Sequence, residues 1–259
     1  MNTGRLTFGH VLRSEWTKFW SVRSTWWTLF AMVVVIVGFG LLEAGVLTKP
    51  EHGETIRATM PASVAITFGQ LVMGILAILV ITGEFTSGEI KTSLLAAPGR
   101  WRVLAAKAVI VAVIGFVVTF VSVYATVLCG WPFIKDFALD DRFTGLGLRV
   151  VAGTGLAVAL VSLMALGIGA LVRNGAGAIG IVVVLAFVIM PIFAGLNIHW
   201  MNVTADYLVA GAIRGLAAVP SPDNATAGIF SFGKSLWVSL LWAFVPLLAG
   251  AYVLRKRDL

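Results

Sequence analysis

The chain of 259 residues is 59% hydrophobic and only 12% charged, with a mean hydropathy of +0.98, whereas soluble domains run at roughly 45–50% apolar and 25% charged. That composition excludes an ordinary soluble domain and indicates an integral membrane protein, for which nine Trp also suit two water–lipid boundaries. The formal charge of +7 raises the question of a nucleic-acid partner, and a single cysteine, Cys129, excludes an internal disulfide and any cysteine-based metal cluster.

From Leu6 to Arg23 the sequence plots as an amphipathic helix at 100° per residue. Phe8, Val11, Leu12, Trp16, Phe19, Trp20 and Val22 share one half of the wheel, and His10, Ser14, Thr17, Lys18 and Ser21 the other; Glu15 and Arg23 intrude on the apolar half. With three Lys or Arg and no apolar run the segment is not a cleavable signal peptide. Residues 1–24 therefore form an interfacial helix, lying in the headgroup layer or packed as an elbow against the bundle.

Six apolar runs follow, near Thr25 to Val46, Ala62 to Ile81, Ala108 to Trp131, Val150 to Val172, Ala176 to Leu196 and Ser235 to Leu254. Each is close to the roughly 20 residues that cross about 30 Å of hydrocarbon, so the expectation is one all-α membrane domain over the whole chain. Twelve of the nineteen Lys and Arg fall on the side of the termini, with four acidic residues, against seven basic and seven acidic on the other side. Both ends are thereby expected in the cytoplasm of a multi-pass plasma-membrane protein, and the net charge reflects topology and anionic lipid rather than nucleic acid.

Between the second and third runs lies a polar island, Gly83 to Lys107. Thr86 and Glu89 have capping-box spacing, so a short helix is expected to start there, carrying Ile90, Leu94, Leu95 and Ala97 on one face until Pro98-Gly99 stops it. Arg100, Arg102 and Lys107 follow as a cationic collar. A helix of that length is unstable alone in water and needs lipid or a protein groove. On the other side, the 38-residue loop from Asn197 to Lys234 contains a helical stretch, Ala205 to Val219, read either as a re-entrant or as a plain surface helix.

Motifs for soluble chemistry fail on context. Gly228 to Ser235 matches a P-loop literally, yet it carries Ile229, Phe230 and Phe232, follows no strand and lies on the outer side; Lys234 reads as an interfacial anchor. Gly175, Gly177 and Gly180 match a dinucleotide fingerprint without its strand, and close helix packing explains them better, as it does Gly167 and Gly169. His10, His52 and His199 lie outside the spans, so no metal or cofactor is expected. Intramembrane polar residues are the default pathway candidates, here Gln70, Ser122 and Tyr124; Glu43 reads as a snorkelling residue. Pro191 and Pro246 are expected to kink the fifth and sixth spans.

GEFTSGEIKTSLLAAP, then Arg100, then Lys107 heading the third span, resembles the cytoplasmic loop of ABC-2 type exporter permeases. Glu84, Gly88, Leu94, Leu95, Pro98, Arg100 and Lys107 stand at the family's glutamate, small residue, leucine pair, proline and basic pair, with Glu89 in place of the more usual threonine. SEWTKFWSVRSTWWTL, from Ser14 to Leu29, resembles the start of actinobacterial members. The resemblance implies a permease without ATP hydrolysis of its own, moved by a separate ATP-binding cassette subunit and paired with a second permease as a homodimer or heterodimer. Residues 83–102 would be its coupling helix, Ile90, Leu94 and Leu95 entering a groove on the ATPase while Glu84, Glu89 and Lys91 set the register. The other reading is a non-transporting immunity or scaffold protein whose stub binds lipid or a signalling partner.

Overall fold

The computed structural model describes residues 7–47, 56–60, 62–87, 100–196, 198–218 and 230–256. Helix α1 (Phe8–Ser21) turns at Val22 into α2 (Arg23–Leu42), which ends in a π-helical turn, Glu43–Leu47. The other long helices are α3 (Ala62–Ser87), α4 (Arg100–Ile134) and α5 (Gly145–Val172). A broken span follows, α6 (Gly175–Val183), a π-helical turn (Val184–Val188) and α7 (Ile189–Leu196). Two short helices, α8 (His199–Ala205) and α9 (Val209–Ala217), precede α10 (Phe232–Lys256).

Six of these units are long and apolar enough to span a bilayer: Arg23–Val46, Ala65–Thr86, Trp101–Ile134, Gly145–Val172, Gly175–Phe193 and Phe232–Lys256. The protein is an all-α, multi-pass membrane protein. The third span starts well before Ala108, because helix α4 begins at Arg100 and absorbs the basic collar into its first two turns. Thr86 lies inside α3 and its hydroxyl donates to the Thr82 carbonyl one turn back, while Glu89, its expected capping-box partner, lies outside the described residues. Leu94, Leu95 and the rest of 88–99 lie outside the described residues.

Helix α5 is the axis of the bundle. Every residue from Ala157 to Ala170 is buried, as an all-round apolar helix must be, with α3, α4 and α10 packed around it. Small residues set the approach. A Cβ on Gly167 would overlap the backbone of Pro246 and Leu247 in α10, so the two helices meet at the closest distance backbones allow. Gly169 likewise faces Ile81 of α3. Gly180, by contrast, meets nothing within 4 Å, and Gly177 donates its N–H to the capping side chain of Asn174, so that fingerprint marks a helix start rather than a tight pairing.

The outer helices each bury one stripe. In α2 it is Thr25, Leu29, Met32, Ile36 and Gly40; in α10 it is Ser235, Ser239, Ala243, Gly250 and Leu254. Trp27, Phe30, Trp237 and Leu248 point away from the bundle, as lipid-facing side chains do. Lys234 lies exposed in the first turn of α10, over the Phe230 ring, consistent with an anchor and not a phosphate loop.

The helix expected within 205–219 is α9, and it is no surface helix: Val209, Ala212, Ile213 and Leu216 are buried against α5 and α10. A Cβ on Gly153 would overlap the Leu216 carbonyl, while Val209 and Ile213 line one small cavity with Leu160, Val161 and Met164. At 1.5 Å per residue those α5 positions lie about 12 to 28 Å from its Gly145 end, so α9 dips deep into the bundle. The sequence reading foresaw no strands, yet Ile56–Arg57 pairs in parallel with Ala138–Leu139. Beside them the buried Asp141 accepts from the Thr59 N–H at 3.2 Å and the Thr59 hydroxyl at 2.8 Å.

Candidate functional site

Glu15 explains why α1 sits where it does. Val11, Glu15 and Phe19 are spaced four apart, form one stripe, and are buried with α1 lying along α4. Helix α1 thus packs as an elbow against the bundle, with Trp16 on the neighbouring face exposed. An acid on a buried stripe needs a buried cation, and Lys107, two turns into α4, supplies it.

Lys107 Nζ lies 2.6 Å from Glu15 Oε2 and 2.8 Å from Glu84 Oε1. The three side chains are 4%, 4% and 9% exposed. Lys107 is thus the centre of a buried ion cluster. Lys18, one turn beyond Glu15 and 45% exposed, bridges the same two carboxylates at 3.1 and 3.5 Å. Burial pulls the Lys18 ammonium down, but its bonds to Glu15 and Glu84 outweigh that and hold it above the usual lysine range. Glu84 occupies the last turn of α3, where the helix dipole disfavours an anion, so the two lysines are what keep it there.

The cluster joins three elements: α1, the end of α3, and the start of α4. Glu84 and Lys107 stand at the two shoulders of residues 88–99, and their bond closes that segment at its base. Glu84 Oε2 is buried and has no hydrogen-bond partner among the described residues. A cavity of 660 Å³ opens beside it, walled by Phe19, Thr25 and Thr28 on one side and Leu79, Val80 and Ile110 on the other.

A further cation was missed in the sequence beyond its contribution to the charge count. Arg173 ends α5 in the left-handed region, at φ 58°, and its guanidinium lies 5.3 Å from the ring of Phe85, the residue that follows Glu84 in α3. Helices commonly close on one residue in this conformation, and here the Arg173 N–H donates to the Gly169 carbonyl at 2.9 Å. No motif marks Arg173. The signal for Glu15 was present: it was the acid on the greasy half of the wheel.

The remaining site residues divide. Glu84 is in the cluster; Arg100 opens α4; Glu89, Ile90, Lys91, Leu94, Leu95 and Pro98 lie outside the described residues. Of the pathway candidates, Ser122 donates its hydroxyl to the Val118 carbonyl of its own helix, and Tyr124 stacks on Phe120 at 6.2 Å. Gln70 is buried in α3 with its Oε1 unpartnered among the described residues. Of these three, Gln70 is the one with an unpartnered buried acceptor among the described residues.

Comparison with known proteins bears on this arrangement. No curated protein matches the chain. Residues 11–189 match the family model described as ABC-2 family transporter protein, a stretch that begins within α1, takes in the whole ion cluster and ends where α7 begins. With most of its length and all the helices that build the cluster inside that match, the chain belongs to the ABC-2 transporter family, as its membrane-spanning permease.

Proposed function

We propose that this permease forms, with a second permease copy, the pathway of an exporter, and that a separate ATP-binding cassette subunit drives it by engaging residues 83–102 from the cytoplasm. The observation that carries the reading is the Glu15–Lys107–Glu84 cluster. It ties both shoulders of that segment to each other and to α1, so a push on the segment cannot move α3 or α4 without moving α1 and, through the short turn at Val22, α2. Coupling of this kind needs rigid elements with two arrangements, and a buried, charge-paired joint is a rigid one. Ile90, Leu94 and Leu95 are the groove-filling residues in this reading, and Glu89, Lys91, Pro98 and Arg100 fix their position. The excess of Lys and Arg on the side of the termini supports a cytoplasmic placement of the segment. The mostly exposed apolar faces of α2, α6 and α10 suit lipid and a second copy.

Co-purification tests it. An ATP-binding cassette protein is expected to come down with the wild type and to be lost with Leu94→Asp or Leu95→Asp, while both variants keep the wild-type thermal midpoint. Equal retention by both variants would remove the coupling role and favour the scaffold reading.

A further inference from the structure

A second groove lies between α1 and α4. Gly9, Leu12 and Trp16 wall it on α1 and Val109, Ile110 and Val113 on α4, around a volume of about 350 Å³. Arg13 is the charged residue among those that line it, and no carboxylate does so among the described residues. Glu15, the acid nearest to it on α1, is buried and held by Lys107. Arg13 itself is exposed, and its guanidinium has no ion pair or hydrogen bond among the described residues.

The groove has a polar end and an apolar one. Arg13 stands one turn from the exposed Trp16, on the same side of α1, and an exposed indole at the end of a span marks the headgroup level. Helix α4 starts at Arg100 and is apolar beyond Lys107, so Val109, Ile110 and Val113 lead from that level towards the bilayer centre. Val109 and Val113 are close to half exposed, which leaves this wall open to lipid. A guanidinium without a protein anion is matched by phosphate, which it meets with two parallel N–H donors. The wall below it is matched by a hydrocarbon chain. A phospholipid meets both demands in one molecule. What separates one phospholipid from another is the rest of the headgroup: choline brings a cation that finds no carboxylate in the groove and faces the like charge of Arg13, whereas glycerol brings only hydroxyls.

We propose that this groove holds a net-anionic phospholipid of the phosphatidylglycerol type, drawn from the leaflet on the side of the amino terminus. Its phosphodiester pairs with the Arg13 guanidinium, and an acyl chain lies against Leu12, Trp16, Val109 and Val113. Bound there, the lipid extends the packing of α1 on α4 beyond the small apolar contact of Val11 with Val103 and Ala106. The inference concerns this chain and its bilayer only, and stands whether or not an ATPase engages residues 83–102.

The test uses the full chain in phosphatidylcholine vesicles that carry a small, fixed fraction of either phosphatidylglycerol or phosphatidylcholine with brominated acyl chains. Trp16 is the reporter, because bromine quenches an indole only close to contact; its emission is the difference between each protein and the same protein with Trp16→Phe. In the wild type, brominated phosphatidylglycerol is expected to associate at Trp16 about fivefold more strongly than brominated phosphatidylcholine, the factor that one Arg near an anionic headgroup supplies. Arg13→Gln, at an exposed position, should bring the two lipids to within about twofold. Gly9→Leu is the second variant and leaves every charge in place. A Cβ at Gly9 meets only Thr7 Oγ1, at 3.9 Å, so the new side chain occupies the groove without disturbing α1. It should abolish the preference as well, since a phosphate held at Arg13 with its chain displaced leaves Trp16 unquenched. Three results would each overturn the proposal: equal quenching by the two lipids in the wild type, which marks ordinary boundary lipid; quenching by neither, which marks a groove filled by protein; or an unchanged preference in either variant.

Discussion

Replacing Lys107 by Met isolates the energetics of the ion cluster. The side chain is of similar length and stays apolar, so the change removes one charge and little volume. Glu15 Oε2 and Glu84 Oε1 lie 2.6 and 2.8 Å from the same Nζ, and so no farther apart than the sum of those distances, 5.4 Å. At an effective dielectric of about 20, two carboxylates at that separation repel by roughly 3 kcal/mol, a repulsion that the half-exposed Lys18, still shared between them, offsets only in part. The loss agrees with the roughly 3–5 kcal/mol found when one member of a buried ion pair is removed. For a chain of this size each kcal/mol moves the thermal midpoint by about 2–4 °C, so a drop of about 6–20 °C is expected. Intrinsic tryptophan fluorescence on heating in detergent would record it, because Trp16 adjoins Glu15 and packs edge-on against Trp20 in the same helix. The decisive comparison is Glu15→Leu, Glu84→Leu and Lys107→Met together. Well-packed apolar replacements of a buried ion cluster are often neutral or stabilising, so the triple variant should regain most of the loss. A single variant that melts within about 2 °C of wild type, or a triple variant less stable than the single one, would refute the reasoning.

Other expectations are independent of the cluster. Gly167→Ala should cost about 1–3 kcal/mol, since its methyl must push α10 away at Pro246 and Leu247, whereas Gly180→Ala meets open space and should be neutral or gain a few tenths; thermal midpoints of the pair decide it. Thr59→Val leaves the buried Asp141 with only the Thr59 N–H in place of two Thr59 donors and should cost about 1.5–3 kcal/mol, read by the same melt. Lys18 is held above its ordinary value, so its folded-state contribution is complete at neutral pH, persists past about pH 10.4, and is lost only as pH rises through the higher folded value. Lys18→Met should therefore flatten the midpoint-against-pH curve above about pH 10.

The sequence by itself determined the fold class, the six spans and the family, because each depends on runs and local order: about twenty apolar residues make a span wherever they fall, and the order Glu84, Leu94-Leu95, Pro98, Arg100, Lys107 is read without coordinates. Lateral contacts were legible only where small residues announced them, as at Gly167. The joint at the base of residues 88–99 belongs to the tertiary structure alone. Glu15, Glu84 and Lys107 are separated by 92 and 23 positions along the chain, and nothing in either local pattern states that α1 lies across the start of α4. On a wheel Glu15 looks like a blemish on an apolar face; in three dimensions it is the residue that fixes the face. Helix periodicity says which residues share a side of one helix, whereas the partner of a buried charge is set by how helices cross, and only packing decides that.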